Sequence, residues 1–122
     1  TSGQFLQTDG AGSLSFQTVE AFDTQTATTT NTVETAIATY PTATYDAVKV
    51  VIVADDGTDR TVSEMLVTWK STTASATEYA IINTGATAIA TFDVDVSGGD
   101  FRILATASAA TSTNYTVKAI TL

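Results

Sequence analysis

AVKVVIVA at residues 47–54, DDGTDR at 55–60 and TVSEMLVTWK at 61–70 together decide the fold class. Side chains alternate along extended backbone, so Val48, Val50 and Ile52 fall on one side of the first run and Lys49, Val51 and Val53 on the other. A short β-branched run that is apolar on both sides reads as a strand near the centre of a sheet. Asp55-Asp56-Gly57-Thr58 carries Asp-Gly turn chemistry, and the next run sets Val62, Glu64 and Leu66 against Ser63, Met65, Val67 and Trp69. Two alternating runs around such a turn predict a hairpin.

The pattern continues in both directions. EYAIINT at 78–84 reads as a strand ended by Gly85. Ala88, Ala90, Phe92, Val94 and Val96 then alternate with Ile89, Thr91, Asp93 and Asp95, which predicts that the Phe92 side faces inward. Ser97-Gly98-Gly99-Asp100 turns the chain into a run with Phe101, Ile103 and Ala105 on one face and Arg102, Leu104 and Thr106 on the other, a second hairpin. Residues 114–122 alternate again, so the C-terminal run is expected to pair into a sheet.

Upstream, Val33, Ile37 and Tyr40 have helical spacing, but Thr35, Thr39 and Pro41 favour a strand or irregular segment. TQTATTTNT at 24–32 has little to bury and reads as an exposed loop or edge segment, with a strand donated to a neighbour as the alternative. Leu14 and Phe16, with Val19, mark one more strand. Short strands spaced by about 8 to 12 residues predict an all-β fold. The expected architecture is an antiparallel β-sandwich or jelly-roll-like barrel over residues 23–122, preceded by an extended N-terminal arm over 1–22.

Composition narrows the function. The chain has 122 residues, which suits one domain, and 43% apolar residues, which suits a packed interior. Thirteen acidic against five basic residues leave a net charge of −8, opposite to what a phosphate-backbone binder needs. Without Cys or His there is no thiolate, disulfide or imidazole chemistry. No apolar run approaches the ~20 residues of a membrane span, and TSGQFLQTDG lacks the basic and apolar regions of a signal peptide. A protein without nucleic-acid, membrane or cofactor partners, and without enzymatic activity, is expected.

Few constellations stand out. The run from Asp93 to Asp100 matches the opening half of a calcium loop, with Asp93, Asp95 and Ser97 at positions one, three and five and Gly98 at six, but Leu104 stands where its bidentate carboxylate belongs, and the plainer account places Asp93 and Asp95 on the solvent face of a strand. Asp93 and Asp95 are also an i, i+2 carboxylate pair, yet nothing suggests the buried acid or aromatic cleft that glycoside hydrolysis requires. Asp55, Asp56 and Asp59 suit turn hydrogen bonding. Candidate loop contacts for a ligand are Tyr45, Asp56, Gly57, Gly98 and Gly99. In the arm, Phe5, Leu6, Leu14 and Phe16 have too little local sequence to form their own pocket, so they are expected to dock on the main domain or on another subunit.

Two segments resemble known proteins. GQFLQTDGAGSLSF, from Gly3 to Phe16, resembles a short motif of tail-fibre and other appendage proteins of tailed bacteriophages, where an aromatic residue stands at the place of Phe16. Val48 to Ser108, most clearly TEYAIINTGATAIATFDVDVSGGDFRILATAS, resembles a β-rich module of virion structural proteins from phages of marine bacteria, cyanophages in particular. The resemblance implies a structural component of the virion, assembled in the host bacterial cytoplasm, either a fibre or appendage domain or a capsid decoration protein. It implies a homotrimer docked on other virion proteins, with no catalytic residues. A tip domain that binds a host receptor or glycan is the alternative.

Overall fold

The computed structural model describes residues 4–8, 10–12, 14–18 and 23–122, the side chains of 4–7 and 14–18 excepted. Ten strands follow in chain order: β1 (Gln4–Thr8), β2 (Leu14–Thr18), β3 (Asp23–Thr29), β4 (Thr35–Pro41), β5 (Ala47–Asp55), β6 (Arg60–Lys70), β7 (Thr73–Asn83), β8 (Ala90–Ser97), β9 (Asp100–Ala107) and β10 (Thr113–Thr121). They form a five-stranded sheet of order β3-β10-β5-β6-β7, a three-stranded sheet of order β4-β9-β8, and a separate β1-β2 hairpin. The strand pairings are antiparallel. The all-β antiparallel sandwich is therefore the fold.

Alternation decides which side of each strand is covered. From the five-stranded sheet Val48, Val50, Ile52, Met65, Val67 and Val117 face inward, and Tyr40, Phe101, Ile103 and Ala105 meet them from the other layer. Each fully buried large apolar side chain contributes about 1.5–3 kcal/mol. Trp69 of β6 stacks on Phe101 of β9 at 4.5 Å, and Phe92 of β8 meets Tyr115 of β10 edge-on at 6.4 Å, so aromatic contacts join the layers at two places.

The hairpins expected around Gly57 and around Gly98-Gly99 are β5-β6 and β8-β9, with the predicted faces. All three of these glycines have positive φ, which non-glycine residues adopt at a cost. The 24–32 tract is the edge segment of its expected alternatives: Asp23 to Thr29 pair along β10. Residues 35–41 form a strand, with Ile37 as the extra residue of a bulge against β9.

Within the segment expected as an N-terminal arm, β1 and β2 pair as a hairpin, and Gly10 and Gly12 between its strands both have positive φ. One expectation changes. The strand expected from Glu78 begins five residues earlier, at Thr73, because β6 turns through Ser71, a non-glycine residue at φ 56°, and pairs on at Lys70 and Thr73.

Candidate functional site

Three strands cannot cover five. The inner face of the large sheet carries the core, while its outer face bears Lys49, Val51 and Val53 of β5, Val62, Glu64 and Leu66 of β6, and Thr116, Lys118 and Ile120 of β10. Register sets these into rows: Thr116 beside Val53, Val62 and Ile82; Lys118 beside Val51, Glu64 and Ala80; Ile120 beside Lys49, Leu66 and Thr77. Val51 is 39% exposed and Leu66 51%, high values for apolar side chains on inner strands of a sheet, and Ile82 on the edge strand β7 is 68% exposed.

A small polar cluster sits within this apolar field. Lys49 Nζ lies 3.4 Å from a Glu64 carboxylate oxygen, and that hydrogen bond holds the ammonium above its ordinary pKa. Tyr79 is the bulged residue of β7, skipped between the pairs Glu64 with Ala80 and Met65 with Glu78. Desolvation, then its contact with Glu64, pushes the Tyr79 phenol up. Glu78 points to the opposite side, where Ser63 Oγ donates to its carboxylate. Along the outer face run hollows of about 390 Å³, beside Lys49, Val51, Glu64, Lys118 and Ile120, and of about 450 Å³, between Ala47, Leu66, Thr68 and Leu122.

A larger hollow of about 780 Å³ opens at the β5-β6 end, with Val53 and Val62 as floor and Asp55, Arg60, Asn114 and Thr116 as walls. The turn beside it is built by its own side chains. Asp55 Oδ1 accepts from the Gly57 N–H at 2.8 Å, and Arg60 Nε donates to Asp55 Oδ2 at 2.9 Å. Asp56 Oδ1 accepts from the N–H groups of Asp59 at 2.7 Å and Thr58 at 2.9 Å. These bonds favour the ionised forms, so both carboxyls are held below their ordinary value: Asp55 by the Gly57 N–H and then Arg60, Asp56 by the N–H groups of Asp59 and then Thr58.

The loop candidates separate into two groups. Asp56 and Gly57 lie at this end of β5. Tyr45, Gly98 and Gly99 lie at the other, where Thr42 binds the Gly99 carbonyl through its N–H at 3.1 Å and its hydroxyl at 2.9 Å. Nine residues of β5 stand between them, about 30 Å of extended chain, so they do not form one site.

The calcium candidates serve the sheet. Asp95 faces Arg102 across the β8-β9 pair and takes two of its N–H groups, at 2.8 and 2.5 Å, which holds its carboxyl down. Asp93 Oδ1 accepts from the Val94 N–H, and Asp100 pairs with Ser97 beyond the turn. Among the described residues no three His, Cys, Asp or Glu are grouped to hold a metal ion. The side chains of Phe5, Leu6, Leu14 and Phe16 lie outside the described residues, although Leu6 and Phe16 are cross-strand partners. The open sheet face was not singled out from the sequence. Its signal was the second apolar side of 47–54, which resembles a strand buried on both faces.

No protein-family model matches the chain, and no curated protein matches it. Among solved structures the chain is similar to the tailspike protein of Acinetobacter phage vB_ApiP_P1, with a TM-score of 0.55 and 17% identity over 95% of this chain. The match spans 24% of that tailspike's length. At this identity the likeness establishes a shared fold.

Proposed function

We propose that this chain is a non-catalytic structural module of a tailed-phage virion, a tail appendage or fibre domain, that packs against copies of itself and against other virion proteins. The observation that carries the proposal is the fold shared over 95% of the chain with part of a phage tailspike. An apolar sheet face open to solvent supports an assembly role, because exposed apolar patches on folded domains mark sites of association. Among the described residues the carboxylates do not converge: Asp93 is on the outward side of the small sheet, whereas Asp55 is tied into the β5-β6 turn. Immunogold labelling of purified virions with antibodies raised against the chain tests the proposal. Gold on the tail or its appendages is expected, and gold on the capsid alone or nowhere on the particle refutes it.

Receptor or glycan binding is a second proposal, favoured by the hollow beside Asp55 and Arg60, whose apolar floor and polar walls suit a sugar. It predicts that labelled chain adheres to host cells and that Arg60→Ala reduces the adhesion. Equal adhesion by the two proteins would remove this site.

A further inference from the structure

Eight large apolar side chains are exposed among the described residues, and six of them (Val51, Leu66, Tyr79, Ile82, Ile120 and Leu122) lie on the outer face of the five-stranded sheet. We infer that this face is the interface with a second copy of the chain, the two sheets stacking face to face about a two-fold axis that runs along β5, a pairing different from the homotrimer that the resemblance implies. The inference deepens the self-packing part of the proposed function and needs no virion to be tested.

Size supports a second copy as the occupant. Five strands about 4.8 Å apart, covered over the length of β5 from Ala47 to Val53, give a footprint of roughly 24 by 24 Å. That projected face, roughly 580 Å² before side-chain relief is counted, is of the order of the ~800 Å² per partner of a standard interface.

Charge supports it as well. Copies of a chain with net charge −8 repel one another over most of their surface. This patch holds two of the five basic residues, Lys49 and Lys118, against the single acid Glu64, so it is where two copies meet with least repulsion.

Register then makes the face complementary to itself. Lys118, Val51 and Glu64 occupy one row on β10, β5 and β6, which places Lys118 and Glu64 on opposite sides of Val51, each about one strand spacing away. Ile120, Lys49 and Leu66 occupy a neighbouring row in the same way. Rotation by a half-turn about β5 exchanges β10 with β6. Lys118 of each copy then lies over Glu64 of the other, Ile120 over Leu66, and Val51 over its own equivalent. Lys49 stands on the axis, its ammonium drawn aside to Glu64. Aligned stacking of two sheets in this manner is an ordinary β-packing mode.

The experiment is sedimentation velocity on the 122-residue chain and on the variants Lys118→Glu and Glu64→Lys. The wild-type chain should sediment as a dimer. Each variant alone places like charges over one another twice and should weaken the dimer by about tenfold or more, with unchanged far-UV circular dichroism. An equimolar mixture of the two variants restores opposite charges at both positions and should recover a heterodimer. A monomeric wild-type chain, a trimer, or a mixture that stays monomeric would each overturn the inference. None of those results bears on whether gold labels the virion, so the two proposals fail separately.

Discussion

Removing one phenolic oxygen should have opposite effects at two buried tyrosines. Tyr40 is 1% exposed, its ring lies 6.0 Å from Phe101, and its hydroxyl has no hydrogen-bond partner among the described residues. A buried hydroxyl without a partner costs about 1–3 kcal/mol. Tyr40→Phe removes that cost and keeps the ring, at the expense of a few tenths of a kcal/mol for an atom-sized void. The expected net effect is a stabilisation of about 1 kcal/mol, or roughly 3–5 °C in Tm for a domain of this size. Tyr115 is equally buried, but its hydroxyl lies 3.0 Å from Thr29 Oγ1 in a buried hydrogen bond. Tyr115→Phe orphans that threonine and should destabilise by about 1–2 kcal/mol. Urea unfolding followed by fluorescence of Trp69, the only tryptophan, measures both variants. The alkaline limb adds a check. Burial, then Asp23, raises the Tyr40 phenol above its ordinary 10.0, so the unfolded chain ionises first and wild-type stability falls as pH rises past 10. That fall should be smaller in Tyr40→Phe. If Tyr40→Phe loses as much stability as Tyr115→Phe, the Tyr40 hydroxyl has a partner and the reasoning is wrong.

Phe101→Ala removes the ring that joins Trp69 to the small sheet and should cost about 3–5 kcal/mol in urea unfolding, with a red shift of Trp69 emission. Asp55, Asp56 and Asp95 are held below their ordinary 3.8, so the stability they contribute is present above that pH and lost as pH falls below about 4. Asp56→Asn should flatten that acid loss in pH-dependent melts. A Cβ on Gly85 would stand 2.8 Å from the Asp59 carboxylate, so Gly85→Ala should cost about 1 kcal/mol by displacing it, read as a lowered urea midpoint. Hydrogen exchange should be faster along β7, whose side chains are nearly all exposed, than along β5 and β10.

How much the sequence disclosed depends on where burial is one-sided. On β6, Ser63, Met65, Val67 and Trp69 go in, and Glu64 and Leu66 go out, as period-two alternation requires. Gly98-Gly99 and Asp56-Gly57 placed two hairpins because positive φ is chemically marked. The β6-β7 turn was invisible for the converse reason, since Ser71 adopts positive φ without a glycine to announce it. Threonine gave β3 little local signal because nothing in Asp23–Thr29 demands burial; its pairing is set by β10, far away in the chain. The two groups of loop candidates sit at opposite ends of β5, a separation set by topology that no local sequence signal carries. The outer face escaped notice because Val51 and Val53 satisfy the pattern of a strand buried twice.

That last ambiguity has a physical resolution. A β5 apolar on both sides is what a strand covered on both sides should look like, yet the described residues cover one side only. The cost of leaving Val51, Leu66 and Ile120 in water is borne by the isolated chain and removed by any surface that excludes the water. A random apolar partner would suffice for that, but it would bury the Lys118 ammonium and the Lys49–Glu64 pair in a low-dielectric contact with no opposite charge supplied across it. A second copy reached by a half-turn about β5 supplies the opposite charge at each of those positions while burying the same aliphatic rows. Polar residues that weaken collapse onto arbitrary surfaces while permitting one register are how an apolar face acquires specificity. The two sheets would then make β5 the central strand of a four-layer stack, covered on both faces as its composition requires.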